Sequence, residues 1–492
     1  MEKLISSGAL CVALLAPLIV KDEKKMQITT WMPGVHKIPK PSQVLSTSDW
    51  YLLNHVTGKL ITFNHEANRF EPLIAKSWDI QDSLYTFKID PEAVFHDGTK
   101  ITATDVAASI KFLIKERKST HFPVWEFIEN CSDVISIESE CPGIRIIDDQ
   151  TIQFRLAQKT QSFFLMLASP EGGIWHPDDL KRFEEGKPPK LYSGPYFLKS
   201  IERDQIRLGK NLHSRLSKAF PSAPEELLIY GQTEDSLKES LDQSKIDVFF
   251  ETARPFTQTS YGQNYRSHNS NPSTILYLYK ANTKDRSISR EFISALWHEA
   301  STSELQPADT FLPFFAKQGI SREDFLDSLP SLPAKKRTLR IATLFPYFTQ
   351  GLLDHLSARA KSVGIDIEFV KLDSPAWFKA FEDIHHSQFD FILSAYVASE
   401  RYPSVQLRYL LEKHSVPVDI SPLDNPDWTA KESALLKEVE KQILKSQSII
   451  PLYFVSNKIR YREGIEIGNQ PVMDSEIQLW RVGKAQNDSL AK

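Results

Sequence analysis

Cysteine is scarce in this chain, with three in 492 residues. No C-x-x-C pair occurs, so neither a zinc ribbon nor a thioredoxin-like redox pair can be built. Charge of one sign is also scarce: 59 Lys and Arg stand against 63 Asp and Glu, a net charge of -4. A chain so balanced has no basic stripe with which to hold a polyanion, and neither nucleic acid nor an anionic membrane surface is expected as a partner. Glycine, at 18 residues, is outnumbered by 29 prolines, which favours stiff loops over flexible linkers. The phosphate-cradling G-x-x-x-x-G-K, the dinucleotide G-x-G-x-x-G and the nucleophile elbow G-x-S-x-G are all missing. His298-Glu299 lacks the second histidine of a zinc helix, and His385-His386 are neighbours that do not face one another on a helix. No enzyme activity, cofactor or metal is therefore expected. No internal repeat or low-complexity segment is present. What remains is the composition of an ordinary globular protein, 41% hydrophobic and 25% charged. The length implies two or three domains.

The long apolar run is at the beginning. Lys3 precedes Leu4 to Val20, interrupted only by Ser6, Ser7, Gly8 and Pro17, and the charged KDEKK of Lys21 to Lys25 ends it. Residues 1–25 thus read as a secretory signal, or as an N-terminal anchor where uncleaved. Cys11 lies mid-run after Leu10 and is not a lipidation site. An exported chain is periplasmic or otherwise extracytoplasmic. There Cys131 and Cys141 can form a disulfide worth about 2–3 kcal/mol, two free thiols being the alternative.

The rest of the chain is organised around Phe389 to Ser404, FDFILSAYVASERYPS, an apolar run that turns polar and proline-containing after Tyr396. Upstream lie LRIATL (339–344), a helical stretch (349–363) closed by Gly364, IDIEFVKL (365–372) and a second helical stretch (375–386). Strand, helix, strand, helix, strand predicts a parallel sheet with crossover helices. Ligands of such sheets sit beyond the carboxyl ends of the strands, so the loop after Tyr396 is expected to form one wall of a binding site. Earlier, the alternating Tyr85, Phe87 and Ile89 predict a half-buried strand. His96-Asp97-Gly98 marks a turn, Thr102 and Asp105 open a helix as a capping box, and residues 143–156 read as a hairpin turning at Asp148-Asp149. Thr274 to Lys284 and Ile449 to Val455 are strong strands, with a helix from about Asp427 to Ser446 between them.

Four stretches in this order resemble the periplasmic solute-binding proteins of family 5, the peptide and nickel class of ABC importers. They are Glu71 to Val106 with its F-H-D-G-T turn, Ser193-Gly194-Pro195-Tyr196, Leu278 to Trp297, and Trp377 to Pro403 together with Ile450-Pro451-Leu452-Tyr453. The resemblance implies an α/β fold, a two-lobed type II periplasmic binding protein with an extra inserted α+β domain. The first lobe would comprise 26–56, 169–273 and 470–492, the inserted domain 57–168 and the second lobe 274–469. It also implies a monomeric receptor that captures a peptide or peptide-sized solute between its lobes and delivers it to a membrane permease. The alternative is a peptide-sensing or chaperone-like protein on the same scaffold without transport.

Counting from Tyr396 to Pro403 puts Ser399 where peptide binders of this family carry the aspartate that pairs with the ligand's α-ammonium. Glu400 and Arg401 follow it and are further candidate contacts, with Tyr396 at the strand's end. Trp377 matches a cleft-facing tryptophan of the family, core packing being the rival reading. Trp31 and Trp175 are the remaining candidate ligand contacts.

Overall fold

The computed structural model describes residues 26–484 apart from 33, 45, 65–66, 68, 117–126, 158–160, 204, 232–238, 252–263, 282–287, 298–304, 309, 312–321, 332–336, 345–347, 349, 374–375, 378, 381–387, 398–406, 408–409, 412–429 and 471–476. The N-terminal apolar run therefore lies outside the described residues. Among the described residues no helix is long and apolar enough to cross a membrane.

Strand β1 (Gln27–Trp31) is short and β-branched, as suits a strand buried on both faces. Helix α1 (Thr47–Val56) follows, opened by a capping box in which Ser46 and Asp49 satisfy each other's backbone N–H groups. The chain then leaves to build a separate unit. There β2 (Ile61–Asn64) and β3 (Arg69–Pro72) form a hairpin, and β4 (Ala75–Gln81), β5 (Leu84–Ile89), β6 (Ile144–Asp148) and β7 (Thr151–Arg155) form an antiparallel sheet in the order β4-β5-β7-β6. Helices α2 (Ala103–Lys115) and α3 (Gln161–Ala168) cover it. The alternation predicted for β5 is obeyed, since Tyr85, Phe87 and Ile89 are buried and meet Phe154, Phe163 and Phe164 in one core. The predicted capping box at Thr102 and Asp105 is present. Cys131 and Cys141 are joined as a disulfide, their Cα atoms 4.7 Å apart, at the edge of this core.

The chain returns through α4 (Pro177–Glu184) to the hairpin β8 (Tyr196–Glu202) and β9 (Gln205–Lys210), then β10 (Glu226–Tyr230) and β11 (Val248–Glu251). β1 lies between β10 and β11, parallel to both. At the joint with the separate unit, backbone crosses backbone with no room for a side chain. A Cβ on Gly194 would stand 2.4 Å from the Val56 carbonyl carbon, and one on Gly58 2.6 Å from the Ser193 oxygen. The glycine of the S-G-P-Y motif is thus a close-approach glycine, and Ser193 Oγ ties the crossing by donating to Ile174 O at 2.6 Å and accepting from Gly58 N at 2.8 Å.

Strand β12 (Tyr265–Lys280) carries the chain into a second set of cores, built from α5 (Arg290–Trp297), β13 (Leu305–Pro307), β14 (Arg337–Leu344), α6 (Gln350–Lys361), β15 (Ile365–Leu372), β16 (Phe391–Val397) and α7 (Ala430–Ser446). The predicted parallel crossover unit is there, with β14 central and parallel to both β15 and β16. Strand β17 (Ile449–Arg462) then runs back, antiparallel to β12 for most of their length. One sheet results, in the order β15-β14-β16-β12-β17-β11-β1-β10-β9-β8, with β13 paired to β17 off that path. Only β12 and β17 belong to both halves of it.

β17 continues past Val455, and Ile459, Ile465 and Ile467 pack in the same core as Ile28, Tyr51 and Leu227. β12 begins at Tyr265, ahead of Thr274.

Candidate functional site

The strand directions define a site without reference to any ligand. β11 is antiparallel to β17, so β11 and its parallel neighbours β1 and β10 run out of the first core toward the second. β16 is antiparallel to β12, so β14, β15 and β16 run the opposite way. The carboxyl ends of the two parallel sets therefore confront each other across the stretch where β12 and β17 pass between the cores. Glu251, the last residue of β11, is in register with Lys458, whereas Val397, the last of β16, is in register with Thr274 and through it with Val455. Lys458 and Val455 are three positions apart on one strand, a span of about 10 Å. Both sets of strand ends, where ligands of open parallel sheets are held, thus border one gap.

On the first-lobe side the ends are fixed by acid–arginine pairs. Arg460 Nε donates to Glu251 Oε2 at 2.7 Å, joining β17 to β11. Asp247 accepts from the backbone N–H of Thr29 in β1 at 2.8 Å and also takes the Arg462 guanidinium. Both carboxylates are mostly buried, and leaving either without such partners would be costly. Tyr265 donates to Ile246 O at 2.5 Å, and burial pushes its hydroxyl up to about 12. At the crossing, Thr274 and Asn457 are buried and hydrogen-bonded side chain to side chain, with Asn457 Nδ2 3.2 Å from Thr274 Oγ1.

The tip of β16, with Tyr396 in register with Ile275, is at this gap; the description of Tyr396 stops at its backbone. Ser399, Glu400 and Arg401 lie outside the described residues. Trp31 ends β1 beside Phe249, which is opposite Arg460, and meets the Phe249 ring edge-on at 6.3 Å. It stands at the right end of the sheet but is 6% exposed. Trp377 packs with Phe389, Ile392 and Leu410, 8% exposed. Trp175 is fully buried in the first-lobe core against Phe183 and Tyr192.

Glu251, Lys458, Arg460, Thr274 and Asn457 were not singled out by the sequence. The one available signal was a carboxylate closing the apolar run VFFE (Val248 to Glu251), because an acid at the end of a buried strand requires a buried partner. Among the described residues no group of three or more His, Cys, Asp or Glu side chains could hold a metal ion. The arrangement is one of facing walls on a shared pair of strands, suited to enclosing a molecule.

Comparison with known proteins agrees. Residues 69–295 match the family model for bacterial extracellular solute-binding proteins, family 5 Middle. The probable D,D-dipeptide-binding periplasmic protein DdpA of Escherichia coli (strain K12) is 25% identical over 177 residues, 34% of this chain and 32% of that protein. The chain's match thus spans about a third of that relative's length. Among solved structures, the murein tripeptide binding protein MppA of Escherichia coli superposes with a TM-score of 0.73 at 16% identity, covering 94% of this chain and 99% of MppA. The ABC transporter-associated periplasmic binding protein DppA of Helicobacter pylori, in complex with the peptide STSA, gives 0.71 at 16% identity over 95% of this chain and all of that one. The fold is therefore the mixed α/β, two-lobed type II periplasmic binding protein fold expected from the motifs. The family 5 match covers residues 69–295, somewhat under half of the chain, and the likeness in fold to MppA extends on both sides of that segment.

Proposed function

We propose that this protein is an extracytoplasmic receptor that captures a peptide or peptide-sized solute between its lobes and delivers it to an ABC importer. The observation that carries the reading is the confrontation of two sets of parallel strand ends across a pair of shared strands. A solute bridging the gap touches both lobes only when they close, and this differential contact is what makes closure depend on ligand. The relatives named above, a probable D,D-dipeptide-binding protein, a murein tripeptide binding protein and a binding protein in complex with the peptide STSA, support a peptide as the ligand class. Tyr396, Ser399, Glu400 and Arg401 line the second-lobe wall in this reading, and Trp31 the first-lobe wall. Trp377 is a further candidate contact on the second-lobe side, with core packing as the rival reading. The chain works as a monomer, binds no nucleic acid, performs no catalysis and reaches its compartment through residues 1–25. The inserted domain occupies about 57–168, and the second lobe lies between the two crossings.

Thermal-shift screening of the mature protein against short peptides, nickel chelates and sugars tests this. A cognate solute at 100 times its Kd adds about 2.7 kcal/mol of stability. Stabilisation by peptides alone is the expected result, and no response to any panel refutes the proposal.

A further inference from the structure

The two strands that join the lobes are not equivalent. Between Asn269 and Thr274, β12 advances five positions while its partner β17 advances three, from Lys458 to Val455, so β12 carries two extra residues in the crossing. Register breaks flank Pro272 on both sides, and proline has no N–H to give to the ladder. Both strands keep strand conformation throughout, and β17 has an extra residue of its own, Leu452, only farther into the second half, opposite Leu276 and Tyr277. Within the crossing itself the surplus residues are thus all on β12. The ladder is re-gripped by side chains where β12 regains register. Asn457 Nδ2 donates to Thr274 Oγ1 at 3.2 Å, and Thr274 Oγ1 lies 3.4 Å from Asn457 Oδ1. These residues are 1% and 3% exposed, so water does not compete for the bond.

We infer that β17 is the axle and β12 the yielding strand of the lobe motion, and that the Thr274–Asn457 clasp sets the resting balance between lobe arrangements. The pair spans the bulge, with Thr274 at its second-lobe edge and Asn457 opposite the bulged stretch, between Lys458 and Ser456. Turning one lobe against the other about β17 moves the bulged stretch of β12 and pulls Thr274 against Asn457. The clasp therefore favours the arrangement seen here over any rotated one. A pair of neutral buried hydrogen bonds shifts such an equilibrium by about fivefold to tenfold. The clasp thereby regulates the solute site while contributing nothing to the wall. That last consequence rests on the proposed solute-binding function; the effect on lobe motion does not.

The test reads lobe motion directly. Spin labels at Glu202→Cys in the first lobe and Lys361→Cys in the second, both exposed positions, report the inter-lobe distance distribution by pulsed electron spin resonance without ligand. Thr274→Val, which keeps the side chain's shape, and Asn457→Ala are each expected to shift population about fivefold toward rotated arrangements. Thr274→Ser, which keeps the hydroxyl, is expected to retain the wild-type distribution. Unchanged distributions in folded Thr274→Val and Asn457→Ala proteins, or the same shift in Thr274→Ser, overturn the inference. If the clasp variants shift as expected but no solute binds the wild type, the hinge assignment stands and the receptor function falls.

Discussion

His55 offers the sharpest quantitative test of the packing that holds the first lobe together. It is fully buried on α1, its Nδ1 donating to Tyr51 O at 2.7 Å and its Nε2 accepting from Leu479 N at 3.0 Å. Its ring also stacks at a tilt on Trp480, 5.0 Å away. The C-terminal segment is thereby bolted to α1 through a neutral imidazole with one donor and one acceptor in use. Burial lowers its pKa from 6.5 to about 4; the Tyr51 hydrogen bond opposes this shift, while nearby Lys59 adds to it. The depressed value fixes the sign. As pH falls below 6.5 the unfolded chain takes up the proton first, so stability is intact above that pH and drains away between 6.5 and 4. The full loss is about 3.4 kcal/mol, and about 2 kcal/mol of it is spent between pH 7 and pH 5. Urea unfolding followed by tryptophan fluorescence at pH 7, 6 and 5 measures it, each series against His55→Gln. Glutamine retains a donor and an acceptor but gains no charge, so the carboxylates common to both proteins cancel in the difference. The wild type is expected to lose about 2 kcal/mol more than the variant from pH 7 to pH 5. Parallel pH profiles would refute the reasoning.

Other perturbations separate packing from binding. Gly194→Ala drives a methyl into the Val56 backbone and is expected to cost about 3 kcal/mol or more, whereas Gly186→Ala, at φ +70 in open space, costs about 1 kcal/mol; comparing their urea midpoints checks both. Cys131→Ser removes a cross-link closing ten residues, and a loss of about 2–3 kcal/mol, matched by reductant on the wild type, is expected. Arg460→Met leaves the mostly buried Glu251 carboxylate without its 2.7 Å partner. With the arginine itself partly solvated, the cost is about 2 kcal/mol, read as a lower melting temperature that Glu251→Gln added to Arg460→Met largely restores. Arg401→Ala and Tyr396→Ala are expected to change solute affinity about tenfold with melting temperatures unchanged, as calorimetry on the folded proteins would show.

The elements that were legible in the chain are those whose burial has a period. Tyr85, Phe87 and Ile89 sit on the buried face their alternation predicts, and the crossover unit from β14 to β16 is parallel as its strand and helix order requires. The crossing was not legible, and the reason is the same physics in reverse. YRSHNSNPS in β12 and SNKIRYR in β17 pass between two cores as mostly polar sequence; the buried face of β17 here carries Asn457 beside Ile459 rather than an apolar series, and in β12 a proline stands among polar residues where a loop would be expected. Their strand character comes from each other, through a register that neither segment reveals alone. The site inherits that opacity. Glu251 and Lys458 are about two hundred positions apart, and Thr274 meets Asn457 from a similar distance. They come together only because the shared strands are antiparallel and the strand sets on either side point inward. Trp175 shows burial that its local sequence does not announce. It stands in a glycine-rich loop, and that loop is drawn into the lobe by the Gly58, Ser193 and Ile174 crossing. The aromatic ring fills the core behind the joint, and the walls of the site are left to the ends of strands.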